Sequence, residues 1–125
     1  MKSFKKLFAI GFATAVLLTS TGAFAGTLGP ETLTGTSAKS SEVYLGSGTH
    51  KLVAKGISGT GVATVKKIRV LWPDQNVKSV DVTAPYTSTA EFNAEATNGG
   101  VNQSYYVLWN GSTSSAKAQV SIDHP

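Results

Sequence analysis

Residues 90–96 read Ala-Glu-Phe-Asn-Ala-Glu-Ala, apolar at every second position and polar between. A period of two fits an extended strand with one face in a core and the other in water, because successive side chains of a strand point to opposite sides. The same pattern returns near the end of the chain, where Ala116, Ala118, Val120 and Ile122 alternate with Lys117, Gln119, Ser121 and Asp123. Small alanines dominate both apolar faces, so larger side chains must come from the facing layer. Past residue 25, no segment keeps the i, i+3, i+4 apolar spacing of a helix over three turns. The chain therefore reads as all-β.

Further strands are expected over Lys51 to Lys55, Val62 to Trp72, Val77 to Val82 and Tyr105 to Trp109. The last is apolar on both faces and so belongs inside a sheet. Glu42 to Leu45 and Thr32 to Thr34 read as edge strands. Strict alternation through Val62–Trp72 would put Lys66 on a face with Val62, Ile68, Val70 and Trp72, and burying an unpaired lysine is costly. A bulge at Lys66-Lys67 restores Ala63, Val65, Ile68, Val70 and Trp72 to one inner face and leaves both lysines in water. Pro73-Asp74-Gln75-Asn76, Asn98-Gly99-Gly100, Asn110-Gly111, Gly46-Ser47-Gly48 and Gly59-Thr60-Gly61 supply the turns. Thr34 to Ser41 reads as a Ser/Thr/Gly-rich loop, and Gly26 to Gly29 as a loose terminus. About seven or eight short strands predict an antiparallel β-sandwich, immunoglobulin-like or jelly roll, over about Thr32 to Asp123.

The first 25 residues stand apart. Lys2, Lys5 and Lys6 precede an apolar run from Leu7 to Leu18, and the segment ends in Ala23-Phe24-Ala25. Basic start, short apolar centre and A-x-A end are the marks of a secretory signal peptide cut after Ala25. The run is short for a membrane span, and no second one follows. The expected product is a single domain, Gly26 to Pro125, that is secreted and extracellular or associated with a cell wall. The chain as a whole carries 11 basic and 7 acidic residues, a net +4. Three lysines leave with the leader, so the domain is nearly neutral and nucleic acid is not an expected partner. With no Cys in the chain, thiol chemistry and disulfides are excluded, and a domain of this length buries enough surface for a fold held by packing alone.

Catalytic groups are sparse. His50 and His124 are the two histidines. His124 is next to last, and His50 opens a strand after a Gly-Ser-Gly turn, where it reads as an ordinary surface or edge-strand histidine. There is no G-x-S-x-G elbow. Glu91 and Glu95 lie four residues apart on one polar strand face, roughly 13 Å, too far for the carboxylate pair of a glycosidase. Glu91 and Asp81 remain a candidate pair for one cation on a shared face. Asp74-Gln75-Asn76 lacks calcium-loop spacing. The sequence thus points to no enzyme, cofactor or metal site.

Aromatic residues are the best pointer to function. Trp72 precedes the Pro73 turn, Trp109 precedes the Asn110-Gly111 turn, and Tyr86 follows Pro85 in a loop. Aromatic rings at strand ends stack on sugars and anchor protein interfaces, although both tryptophans also suit the core of a sandwich otherwise rich in Ala and Val. Trp72, Trp109 and Tyr86 are therefore the candidate ligand-binding residues of a non-enzymatic binding or structural protein, with a cell-wall or extracellular glycan or a protein as partner. The alternatives are a secreted antibacterial or membrane-active toxin, and an inhibitor of an extracellular hydrolase working through Trp72–Asn76 or Thr97–Asn102. In general character (a lysine-rich leader, no Cys, strands of Ser, Thr and Ala) the chain resembles small exported β-sandwich proteins of Gram-positive bacteria. That resemblance carries no motif and no residue role.

Overall fold

The structure is a computed structural model and describes residues 27–69, 71–95 and 103–124. The expected leader and the Asn98-Gly99-Gly100 turn lie outside the described residues. Among the described residues nine strands form: β1 (Leu28–Thr34), β2 (Ala38–Lys39), β3 (Val43–Leu45), β4 (Gly48–Ser58), β5 (Thr60–Lys67), β6 (Gln75–Thr83), β7 (Thr87–Ala94), β8 (Gln103–Gly111) and β9 (Lys117–Asp123). Every pairing is antiparallel. One sheet has the order β1-β9-β4-β7; the other has β2-β8-β5-β6, with β3 also pairing β8.

Counted as one position, β2 and β3 make this an eight-strand winding. Its sheets then read first-eighth-third-sixth and second-seventh-fourth-fifth. That is the double Greek key of a jelly roll. The immunoglobulin-like alternative fails, because it keeps its last two strands in one sheet, whereas β8 and β9 lie in opposite sheets.

Period two decides which side chains enter the core. Ala118, Val120 and Ile122 of β9 meet Leu52 and Ala54 of β4, and face Val65 of β5, Val82 of β6 and Val107 of β8 from the other sheet; all are buried. β8 is internal, as its two apolar faces require. Tyr105, Val107 and Trp109 point inward, while Tyr106 on the outer face is covered by its own contacts: Lys39 Nζ lies 5.2 Å from its ring centre and its hydroxyl donates to Asp74. The expected edge strands are edges, β1 in one sheet and β3 in the other. β1 begins earlier than expected, since Leu28 pairs with Ile122 and is buried. Pro30 falls in the irregular pairing between Leu28 and Glu31, where an edge strand tolerates a residue without an N–H.

Trp109 fixes the middle of the sandwich. Its ring rests over Gly61, where a Cβ would come within 2.5 Å of Cη2 and 2.6 Å of the Asn110 carbonyl oxygen. The indole Nε1 donates to the Ala116 carbonyl oxygen at 3.3 Å. Gly61, Ala63 and Ala116 are thus the small partners that a large central ring demands.

The bulge lies on a different strand from the one expected. Val65 pairs Lys78 but Lys66 pairs Asn76, so the extra residue is Val77 on β6, while β5 stays in unbroken register with β8. Alternation therefore continues through Ala63, Val65 and Lys67. Lys67 reaches the rim of the core and bonds Glu95, just past β7, at 2.8 Å. Lys66, whose burial argued for a bulge in β5, falls on the outer face, where its Nζ bonds Asn76; it is Lys67, expected in water, that turns towards the core.

Candidate functional site

The strand registers sort the connections into two ends. One end carries the β1–β2, β4–β5, β6–β7 and β8–β9 turns; the other carries β3–β4, β5–β6 and the end of β9. Trp72 lies in the β5–β6 connection and Tyr86 in the β6–β7 turn, at opposite ends of β6. Nine residues of strand separate them, roughly 26 Å along the chain, so they do not share a site.

Trp109 is a correction to the expected set. It is 0 % exposed, with both ring faces packed and its only donor bonded, so no face is left for a ligand. Its neighbouring strands explain the difference from Trp72. β8 is flanked by β2 and β5 at Trp109, whereas the chain at Trp72 has left the sheet.

The β5–β6 turn projects an apolar tip. Trp72 is 70 % exposed and Leu71 94 %. Leu71 has φ +70°, a left-handed conformation that costs a branched residue of this kind about 1–2 kcal/mol. The legs of the turn are tied down. The Ile68 amide donates to the Ser104 carbonyl oxygen at 2.9 Å, Arg69 Nε donates to the Pro73 carbonyl oxygen at 3.0 Å, and Lys66 Nζ donates to Asn76 Oδ1 at 2.6 Å. Asp74 accepts the Tyr106 hydroxyl. Burial first, then this hydrogen bond and the nearby carboxylates of Asp74 and Glu42, push the Tyr106 phenol up to about 12. Strain held by surrounding bonds, next to exposed apolar side chains, is a pattern that concentrates at functional sites. Pro73 marked the turn in the sequence, but Trp72, expected on the inner face of a strand running to it, lies exposed in a connection that begins after Lys67; the positive φ of Leu71 carried no sequence signal, because a leucine does not favour it.

Tyr86 is exposed at the other end, and its backbone is held by bonds from the Tyr86 amide to Thr83 and from the Gly56 amide to the Tyr86 carbonyl oxygen. Nearby, the outer face of the second sheet forms an open depression of about 410 Å³ lined by Thr60, Val62, Asp81, Thr83, Asn110 and Ser112. Asp81 is its one ionisable group. Glu91 cannot join it: Glu91 pairs with Lys51 on the outer face of the first sheet, so the two carboxylates lie on opposite sides of the sandwich.

His50 differs most from its sequence reading. It is 2 % exposed, on β4, which runs between β9 and β7. Nδ1 bonds the Gly48 carbonyl oxygen at 3.1 Å. Glu95, exposed beyond β7, is held below the usual carboxylate range by the Lys67 hydrogen bond and charge.

A small antiparallel jelly roll with a pinned apolar turn at one end is thus the class of protein that fold and site define. No protein-family model, curated protein or solved structure matches this chain.

Proposed function

We propose that this is an exported, non-enzymatic binding protein that engages its partner through the Leu71–Trp72 tip. The observation that carries the reading is the exposure of two adjacent large apolar side chains on a turn whose legs are hydrogen-bonded. Leaving them in water has no folding benefit, and a rigid turn loses little conformational entropy when it docks. An aliphatic side chain beside the indole favours a protein surface over a glycan, since sugar sites surround a stacking ring with hydrogen-bonding groups. Export is read from the basic, apolar and A-x-A pattern of residues 1–25.

The test compares the native protein with Trp72→Ala and Leu71→Ser for retention on cell-envelope protein and on isolated wall glycan. Retention on protein that both substitutions abolish, with unchanged thermal unfolding, supports the reading. Retention on glycan alone reverses the choice of partner, and unchanged retention of both variants removes the tip as the contact.

A second reading, inhibition of an extracellular hydrolase, is favoured by the same pinned legs, because inhibitor loops work by being rigid. Its mark is tight, stoichiometric inhibition of a secreted protease or glycosidase that Trp72→Ala weakens.

A further inference from the structure

The ladder between β4 and β9 pairs Lys51 with Asp123, so His124 follows in register beside His50, while Phe92 of β7 pairs His50 from the other side. Three rings therefore stand in a row across one end of the first sheet: Phe92 is stacked on His50 at 5.9 Å, and His124 lies 5.4 Å from His50 between ring centres. The Gly48 carbonyl oxygen can only accept, so the Nδ1 of His50 carries the proton in this bond. The neutral ring then holds its lone pair on Nε2. That nitrogen is buried and, among the described residues, has no hydrogen-bond partner. An unsatisfied buried acceptor is uncommon enough to require a reason.

We propose that His50 and His124 form a two-imidazole site for a divalent late transition-metal ion, with water completing the coordination. An imidazole that donates one N–H to a backbone carbonyl and keeps the other nitrogen bare is oriented as metal-bound histidines are. With metal–nitrogen bonds of about 2.0–2.1 Å and a tetrahedral angle, two imidazole centres lie about 5 Å apart, close to the separation here. Ring packing alone accounts for that separation but leaves the bare nitrogen unexplained. Two neutral nitrogens suit Zn²⁺, Ni²⁺ or Cu²⁺ rather than Ca²⁺ or Mg²⁺. Among the described residues no set of three or more His, Cys, Asp or Glu gathers, so the site offers two protein ligands and its affinity is modest. The site is independent of the Leu71–Trp72 tip.

Tag-free protein titrated calorimetrically with zinc chloride tests the proposal. The expected result is saturable binding of one ion per chain, weakened about tenfold or more in His124→Ala, an exposed position whose loss leaves the fold intact. His50→Phe keeps a ring against Phe92 and is expected to lose binding as well. The copper-loaded protein is expected to show hyperfine coupling to two nitrogens in its electron paramagnetic resonance spectrum. No saturable zinc binding up to about 1 mM, full affinity in His124→Ala, or a copper signal without nitrogen coupling would overturn the site.

Discussion

Gly61→Ala tests whether the sandwich is built around Trp109. The added Cβ would meet Cη2 of Trp109 at 2.5 Å and the carbonyl oxygen of Asn110 at 2.6 Å. Neither partner can move freely. The indole is bonded through Nε1 to Ala116, and the Asn110 carbonyl belongs to the β5–β8 ladder. Overpacking a filled core costs about 1–3 kcal/mol, and obstruction by backbone puts this site at the upper end. Alanine also restricts the unfolded chain more than glycine, which returns roughly 0.5–1 kcal/mol. The net expectation is a loss of about 2 kcal/mol. For a domain of this size that lowers the melting temperature by roughly 8–16 °C. Gly29→Ala is the control, since nothing lies within 4 Å of a Cβ there and its φ is ordinary; its stability is expected to stay within about 0.5 kcal/mol of native. Thermal and urea unfolding followed by far-ultraviolet circular dichroism measure both. In a Trp109→Leu background the ring contact disappears but the carbonyl contact remains, so the cost of Gly61→Ala falls without vanishing. Equal stability of Gly61→Ala and Gly29→Ala would refute the packing argument.

Trp72→Phe leaves the buried Trp109, so its emission is expected to be blue and protected from acrylamide, whereas Trp109→Phe leaves red, readily quenched emission; the opposite pattern would exchange the two roles. Tyr106 is expected to ionise near pH 12 in a titration followed at 295 nm. Because its folded value lies above the usual 10, the stability it contributes is complete below about pH 10 and is lost as pH rises towards 12, an effect of at most about 2–3 kcal/mol; Asp74→Asn should bring the ionisation earlier. Glu95 is expected to titrate below the usual carboxylate range in carboxyl NMR, its contribution being present above that range and fading as pH falls through the folded value. Lys67→Met or high salt should move it back up, and no movement with either would remove the ion pair as the cause.

Much of the architecture is legible in the residues. Alternation at 90–94 and 116–122 identifies Phe92, Ala94, Ala118, Val120 and Ile122 as core, and all are buried. Two apolar faces at Tyr105–Trp109 identify an internal strand, and Gly, Pro and Asn mark the turns. These features are local: they follow from the period of a strand and the backbone freedom of a few residues. The sequence also determined that no disulfide holds the domain together, since it supplies no Cys.

Tertiary structure decided what a local pattern cannot carry. In the sequence Trp72 and Trp109 each precede a turn, yet one projects and the other is sealed, because β2 and β5 pair with β8 at Trp109 and, among the described residues, no strand covers the β5–β6 turn. The bulge falls on β6 rather than β5, and Lys67, expected in water, turns inward and bonds Glu95 near the other sheet, a contact between residues 28 positions apart. His50 follows a flexible Gly-Ser-Gly turn and looked peripheral; it is buried because β9 and β7 flank its strand and place His124 and Phe92 beside it. The choice of jelly roll over immunoglobulin winding was likewise open until β8 and β9 fell in different sheets. Period two tells each side chain which face of its own strand it occupies, and only the order of the strands determines what lies opposite.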